Sequence, residues 1–172
     1  VTSPDFKTET KKRLIEFIEN EFHGQMSWLE KRLSWRLSPR ELWPEVKSII
    51  MLTENYTPEE DPLEGLKKVD RGNISVYARG HDYHEIMKKR LKKLGSWFVA
   101  RTNAKIKVFV DTAPVMEKPL AQSAGIGWQG KHTNLVSKKL GNWFFLGFIF
   151  VNKKLGSDLP EIDHCGSCNK CL

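Results

Sequence analysis

The chain has 172 residues, of which 40% are hydrophobic, and carries a formal net charge of +7 at pH 7. This composition excludes a disordered chain and suits one domain with a buried core. The longest apolar run, residues 143–151, has about half of the roughly 20 residues that a membrane span needs, so we expect no membrane partner. The polar start shows no signal peptide, which predicts a cytoplasmic protein with reduced thiols.

Hydrophobic periodicity and turn residues predict alternating helices and strands. In chain order we predict helices over 3–24, 26–32 and 38–44, strands over 46–52 and 74–79, a helix over 81–103, a strand over 105–111, a helix over 113–125 and strands over 132–137 and 142–151. Ser38 followed by Pro39 and Glu41 is typical of a capping box. Gly141 and Asn142 predict a turn that joins the last two strands into a hairpin.

This order predicts an α+β fold with one mostly antiparallel sheet flanked by helices. We expect residues 1–152 to form this domain and the tail from residue 153 to leave it. The long polar loop over 53–73 is of a length that is often functional or mobile.

All three cysteines of the chain, Cys165, Cys168 and Cys171, lie in one C-x-x-C-x-x-C run. Thiolates this close can hold one soft metal centre, and the spacing matches the opening of a bacterial iron–sulfur motif. Zinc is the main alternative, although zinc ligands usually form two separated pairs. A disulfide framework is disfavoured by the odd count. A [4Fe–4S] cluster takes four ligands, so we expect the sequence to be a piece of a longer protein.

Residues 110–132 carry the second candidate site. Asp111 follows a predicted strand and precedes a predicted helix, where it could cap the helix or donate a proton in a cleft. Gly125, Gly127 and Gly130 could let the backbone approach a large flat ligand, and Lys131 could meet an anion. The alternative is a tight helix-to-strand connection, because the pattern is neither a P-loop nor a dinucleotide motif.

Lysines cluster on one face of the helix predicted over 81–103. Lys88, Lys89, Lys92 and Lys93 are candidates for contact with the phosphates of a nucleic acid. A solvated helix face that serves only solubility is the alternative.

Several blocks of the sequence resemble epoxyqueuosine reductase, a cobalamin-dependent iron–sulfur enzyme family of tRNA modification. These blocks are "HGQMSWLEKR" (23–32), "RLSPRELWP" (36–44), "YARGHDYHEIMKKRLKKLG" (77–95), "VDTAPVMEKPLAQSAGIGWQGKHTNLVSKKLGNWFFLG" (110–147) and "CGSCNKCL" (165–172). The resemblance implies a nitroreductase-like cobalamin-binding domain in residues 1–152, without the family's opening helix and strand. It also implies that residues 153–172 begin a truncated ferredoxin-like module.

The family reduces epoxyqueuosine to queuosine at the wobble position of tRNA. The resemblance implies two kinds of cofactor, cobalamin and, in the full-length protein, two [4Fe–4S] clusters. It also implies two partners, a tRNA carrying epoxyqueuosine and an electron donor. We expect the protein to be a monomer and this fragment to be inactive by itself. Asp111 matches the family's proton donor, which we expect to be buried. Candidate cofactor contacts are Arg36, Tyr77, Gly127, Gly130, Lys131, Asn134 and Leu135. Asp82, Tyr83 and His84 belong to the same matched block as Tyr77.

Two other functions would explain parts of this pattern. A reductive dehalogenase shares the corrinoid and iron–sulfur pairing but acts on halogenated organic compounds. A non-catalytic basic domain with a zinc-binding tail would bind nucleic acid without a corrinoid. Metal analysis of the full-length protein separates these possibilities, because iron with cobalt indicates the enzyme and zinc alone indicates the binding domain.

Overall fold

The computed structural model describes residues 1–172. Its helices are α1 (Thr8–Glu19), α2 (Leu33–Leu37), α3 (Pro39–Leu42), α4 (Tyr83–Thr102) and α5 (Glu117–Ser123). Its strands are β1 (Ser48–Asn55), β2 (Ile106–Phe109), β3 (Trp128–Gln129), β4 (Leu135–Val136) and β5 (Phe144–Val151). Short 3₁₀ turns cover Ser27–Leu29, Glu64–Lys67 and Val76–Ala78. None of the helices combines the length and apolar character needed to cross a membrane.

The main sheet has three strands in the order β1-β5-β2, and both pairings are antiparallel. The central strand β5 buries Phe148, Ile149, Phe150 and Val151 almost completely. Its nearly continuous apolar run follows from this position, because side chains on both faces of a covered central strand pack against other elements. The expected mixed fold, with helices around an antiparallel sheet, is confirmed.

Two hydrophobic clusters cover the two faces of the sheet. One cluster brings Trp43 and Leu120 against Phe148 and Phe150. The other brings Met87 and Leu91 of α4 against Ile149 and Val151. Helix α4 therefore lies on one face with its apolar stripe inward, which fixes where the residues at its start meet the end of β2.

The predicted hairpin between residues 132–137 and 142–151 is wrong. Both edges of β5 are already occupied, by β1 and β2, so no edge is left for the preceding segment. Strand β4 instead pairs with β3 in a separate two-stranded sheet. In the turn between β4 and β5, Ser137 and Gly141 form only an isolated bridge.

The predicted strand over 74–79 is also wrong, because the segment forms a 3₁₀ turn without a partner strand. Its side chains at Ile74 and Tyr77 are 64% and 55% exposed. An isolated apolar run of this length has no ladder to join unless tertiary structure brings one to it.

The N-terminal helices differ from their predicted bounds. The helix expected from residue 3 begins at Thr8, because Thr2 exchanges backbone hydrogen bonds with Ile49 and keeps the chain extended. The helix expected over 26–32 is a 3₁₀ turn, and Arg32 has a left-handed backbone with φ 60° before α2 begins. Helix α3 is confirmed, but the Ser38 side chain makes no capping hydrogen bond.

Residues 152–172 contain no helix or strand and lie against the rest of the chain. The backbone N–H groups of Leu155 and Asp158 donate to Ser48 Oγ and to the Val1 carbonyl, at 2.8 and 2.9 Å. The backbone N–H of Glu161 donates to the Gln122 carbonyl at 2.9 Å. These contacts bring the cysteine segment close to the connection between α5 and β3.

Candidate active site

Asp111 stands on an exposed loop just beyond the end of β2. Its backbone is left-handed, with φ 53°, and its side chain is 60% exposed. The expectation that this carboxyl group is buried is therefore wrong. The capping alternative is wrong as well, because α5 begins at Glu117 and its N-cap residue is Met116.

The start of α4 supplies the contacts of Asp111. The hydroxyl of Tyr83 donates a hydrogen bond to Asp111 Oδ2 at 2.7 Å. His84 Nε2 lies 3.7 Å from the same oxygen. Asp82 caps the helix by accepting the backbone N–H of His84 at 2.9 Å, and its Oδ1 is also 2.8 Å from His84 Nδ1. Capping thus places two polar side chains of one helix turn at the carboxyl group of Asp111.

Tyr83 is held between two rings. Its ring stacks on Phe145 of β5 at 3.8 Å between centroids, with an interplanar angle of 2°. Its other neighbour is His84, at 4.0 Å and 26°. Burial raises the pKa of Tyr83, and the hydrogen bond to Asp111 raises it further, so the phenol stays protonated and can donate at neutral pH.

Glu117, the first residue of α5, is a member of this cluster that the sequence analysis missed. Burial raises the pKa of its carboxyl group to about 8, and the negative charge of Asp111 also raises it, while a hydrogen bond from the Asp111 backbone N–H lowers it. A buried carboxyl group with a raised pKa beside a second carboxyl group is typical of acid–base sites. The spacing of six residues gave no signal, because only the loop over 111–116 brings the two groups together.

Helix α5 connects this cluster to the loop that carries Asn134. Lys118 donates from Nζ to the Thr133 carbonyl at 2.8 Å and lies 3.5 Å from Asn134 Oδ1. The Leu135 side chain is buried in the core, so only its backbone is available to a ligand. The Lys118 side chain therefore links the loop that carries Asn134 to α5.

The glycines predicted to face a ligand meet protein atoms. A Cβ atom on Gly127 would lie 2.1 Å from the Val136 carbonyl oxygen across the β3–β4 pair. A Cβ atom on Gly130 would lie 2.8 Å from the His132 ring. Close packing inside the chain thus explains both glycines, as the alternative of a tight connection suggested, and their contact with a cofactor stays a prediction.

Lys131 and the cysteines lie together on another part of the surface. Lys131 Nζ donates to the Cys168 carbonyl at 2.9 Å and to Asn169 Oδ1 at 3.1 Å. The indole N–H of Trp128 donates to Cys165 Sγ at 3.3 Å. All three cysteines are free thiols, and the structure does not gather three potential metal ligands at one point.

Arg36 and Tyr77 have different surroundings. Arg36 Nε is buried without a hydrogen-bond partner, burial lowers the pKa of its guanidinium group, and that group lies 5.2 Å from the Trp28 ring centre. Tyr77 and Tyr83 both line a cavity of about 250 Å³, which Asp111 does not line. The exposed face of α4 carries the four candidate lysines, Lys88, Lys89, Lys92 and Lys93.

Comparison with known proteins confirms the family resemblance. A family model described as epoxyqueuosine reductase QueG, DUF1730, matches residues 36–112. The epoxyqueuosine reductase of Cellulophaga algicola is 39% identical over 174 residues, which cover 100% of this chain and 55% of that protein. The Escherichia coli epoxyqueuosine reductase is 36% identical, over 100% of this chain and 46% of its own length. The chain thus spans about half the length of the curated relatives it matches.

Solved structures agree with this relationship. A crystal structure of epoxyqueuosine reductase with an epoxyqueuosine-modified tRNA-Tyr stem loop superposes with a TM-score of 0.82 and 26% identity, over 99% of this chain and 45% of that one. The Bacillus subtilis epoxyqueuosine reductase, solved with its catalytic Asp loop swung out of the active site, has a TM-score of 0.81 and 26% identity, with the same coverage of 99% and 45%.

Proposed function

We propose that this chain is part of an enzyme that reduces epoxyqueuosine to queuosine on tRNA, and that it supplies the proton for this reaction. The proposal starts from the similarity of the chain to the epoxyqueuosine reductases. The observation that carries the proposal is the cluster around Asp111, in which one exposed carboxylate meets Tyr83, His84 and Glu117. Asp111 is the proton donor. The catalytic Asp loop described for the Bacillus subtilis protein supports this role.

The chemistry needs an acid at this position. Converting an epoxide to an alkene takes two electrons and two protons and releases the oxygen as water. An alkoxide is a poor leaving group, so a proton must reach the oxygen as the C–O bond breaks. Asp111 is exposed and therefore accessible to a large substrate, and the neighbouring carboxyl group of Glu117, whose pKa is raised to about 8 by burial, is a second acid in the same cluster.

Cobalamin is the proposed cofactor of residues 1–152, for which we propose a nitroreductase-like fold. The chain has a group that fits it, because the buried Arg36 Nε has no partner and suits a phosphate or amide oxygen. Further proposed contacts of the cofactor are Asn134, the Leu135 backbone and Tyr77. We also propose contacts at Gly127, Gly130 and Lys131, although protein atoms already contact these three residues. When bound, the corrinoid and the iron–sulfur clusters would supply the electrons for the reduction.

Iron–sulfur clusters are the proposed cofactors of the segment over 153–172, the beginning of a ferredoxin-like module. Three thiols spaced by two residues are a donor set that suits a [4Fe–4S] cluster, which takes four ligands. The hydrogen bond from Trp128 to Cys165 Sγ resembles the N–H···S contacts that adjust such centres. Lys131 would hold the backbone of the same segment.

A tRNA carrying epoxyqueuosine is the proposed substrate, and an electron donor is the second proposed partner. The proposed location of this reaction is the cytoplasm. The tRNA stem loop bound to a structural neighbour supports this choice. The net charge of +7 and the exposed lysines of α4 favour a polyanionic partner.

The test is Asp111→Asn in the full-length holoenzyme, with deoxygenation of epoxyqueuosine tRNA measured in single-turnover experiments. We expect cobalamin content, read from the absorption spectrum, to stay unchanged while the rate falls by about 10²–10⁴-fold, the usual contribution of a general acid. A wild-type rate in this variant would exclude Asp111 as the proton donor.

A further inference from the structure

We propose that Tyr83 is a positioning residue, which holds the Asp111 carboxyl group so that one of its oxygens stays free for the substrate. This inference rests on the proposed role of Asp111 as proton donor. It assigns a separate task to a residue on α4, which lies 28 positions earlier in the chain.

The hydrogen bonding of Asp111 is one-sided. The Tyr83 hydroxyl, at 2.7 Å, and His84 Nε2, at 3.7 Å, both approach Oδ2. Oδ1 has no hydrogen-bond partner among residues 1–172. A carboxylic acid that accepts a hydrogen bond on one oxygen can carry its proton on the other. The contacts of α4 therefore leave Oδ1 as the oxygen that presents the proton.

The two ends of this hydrogen bond differ in how firmly the fold holds them. Tyr83 lies in the first turn of a 20-residue helix and stacks within 3.8 Å of Phe145 on the central strand. Asp111 stands on an exposed loop with a left-handed backbone, a conformation that residues other than glycine adopt only at a cost. The Tyr83 ring is thus the fixed partner, and the hydrogen bond from its hydroxyl fixes the orientation of the Asp111 carboxyl group.

Positioning of this kind affects rate strongly. A general acid contributes fully only when its proton lies within hydrogen-bond reach of the accepting atom. Without the Tyr83 hydroxyl, the Asp111 side chain can rotate, because the other α4 group near its carboxylate, His84 Nε2, lies 3.7 Å away. Stacking on Phe145 requires only the ring, so replacement by phenylalanine removes the hydroxyl and keeps the packing.

The experiment compares Tyr83→Phe with Tyr56→Phe in the full-length holoenzyme. Tyr56 stacks on the same Phe145, at 4.3 Å, but its hydroxyl makes no hydrogen bond, so it is a matched control. Two quantities are measured, the hydrogen exchange of backbone amides over 110–116 and the single-turnover rate. We expect Tyr83→Phe to speed exchange in this loop alone and to lower the rate by about 10-fold, the effect of losing one hydrogen bond. Tyr56→Phe should change neither.

A double-mutant cycle separates positioning from a general structural effect. If Tyr83 acts through Asp111, adding Tyr83→Phe to Asp111→Asn should lower the rate no further. Full additivity, or loop exchange in Tyr83→Phe equal to that of the control, would overturn the inference. A wild-type rate in Asp111→Asn alone would instead overturn the proposed function, and the exchange measurement would still report whether Tyr83 holds the loop.

Discussion

Trp128 donates its indole N–H to Cys165 Sγ at 3.3 Å, across 37 positions of the sequence. The indole is almost fully buried, and its edge contacts the His164 ring at 5.0 Å between centroids. One rigid side chain of the small β3–β4 sheet therefore anchors the first cysteine, whereas Cys168 and Cys171 are exposed. The body of the protein and the cysteine segment are coupled at this point.

Replacing Trp128 by phenylalanine should make Cys165 less reactive toward alkylation at neutral pH. The variant loses the N–H donor and keeps most of the aromatic packing. The N–H donor stabilises the thiolate, which is the form that reacts. A hydrogen bond of this kind contributes about 0.5–1 kcal/mol, so we expect alkylation of Cys165 by iodoacetamide to slow down about 2- to 5-fold. Mass spectrometry of the metal-free chain measures each cysteine separately. Cys168 and Cys171 serve as internal controls, and an unchanged rate at Cys165 or a uniform change at all three thiols would contradict a specific contact.

Glu117→Gln should remove a pH dependence of stability. Burial and the charge of Asp111 raise the pKa of Glu117 from 4.5 to about 8, so folding takes up a proton between these values. The wild-type free energy of unfolding should therefore fall as the pH rises from about 5 to about 8, by on the order of 2 kcal/mol from this group. Urea denaturation at several pH values measures this slope.

The exposed Glu19 on α1 offers a control for that experiment. Glu19→Gln should keep the wild-type slope, whereas Glu117→Gln should flatten it and be more stable than wild type near pH 8. Equal slopes for the two variants would mean that Glu117 ionises normally in the folded protein.

Gly127→Ala should destabilise the fold whether or not a cofactor is present. The added Cβ atom would lie 2.1 Å from a backbone oxygen of Val136, which cannot move away without breaking the β3–β4 pair. We expect a loss of about 2–3 kcal/mol in the free energy of unfolding, as for other overpacked sites. Gly156→Ala is the control, because its Cβ atom would meet nothing within 4 Å. Equal stability of the two variants would show that Gly127 is not constrained by packing.

Reversing the lysines of α4 tests the proposed tRNA surface. Lys88, Lys89, Lys92 and Lys93 are exposed and form no ion pairs, so their change to glutamate should leave the fold intact. We expect a higher KM for tRNA and a weaker dependence of KM on salt, because fewer counterions are released on binding. Reversal of four other exposed lysines that form no ion pairs, Lys7, Lys31, Lys47 and Lys154, gives the same change in net charge. Equal effects of the two variants would indicate that only overall charge matters.

Local patterns in the sequence were enough to predict the elements with strong internal signals. Helix α4 has both a long apolar stripe and an Asp82 cap, and the actual helix begins and ends within two residues of its predicted bounds. The predicted strands at β1, β2 and β5 are confirmed, because their apolar side chains pack in the core or against it. The family resemblance also came from the sequence, since it depends on residue identity and order.

Tertiary structure alone decided the strand pairing and the membership of the site. Nothing local in the run over 142–151 indicates that β1 and β2, from distant parts of the chain, occupy both edges of β5. The same holds for Asp111, whose carboxyl group was expected to be buried and is exposed, and for Glu117, which was missed. Exposure, hydrogen-bond partners and shifted pKa values depend on which segments meet in space, and contacts between residues far apart in sequence leave no periodic pattern within either segment.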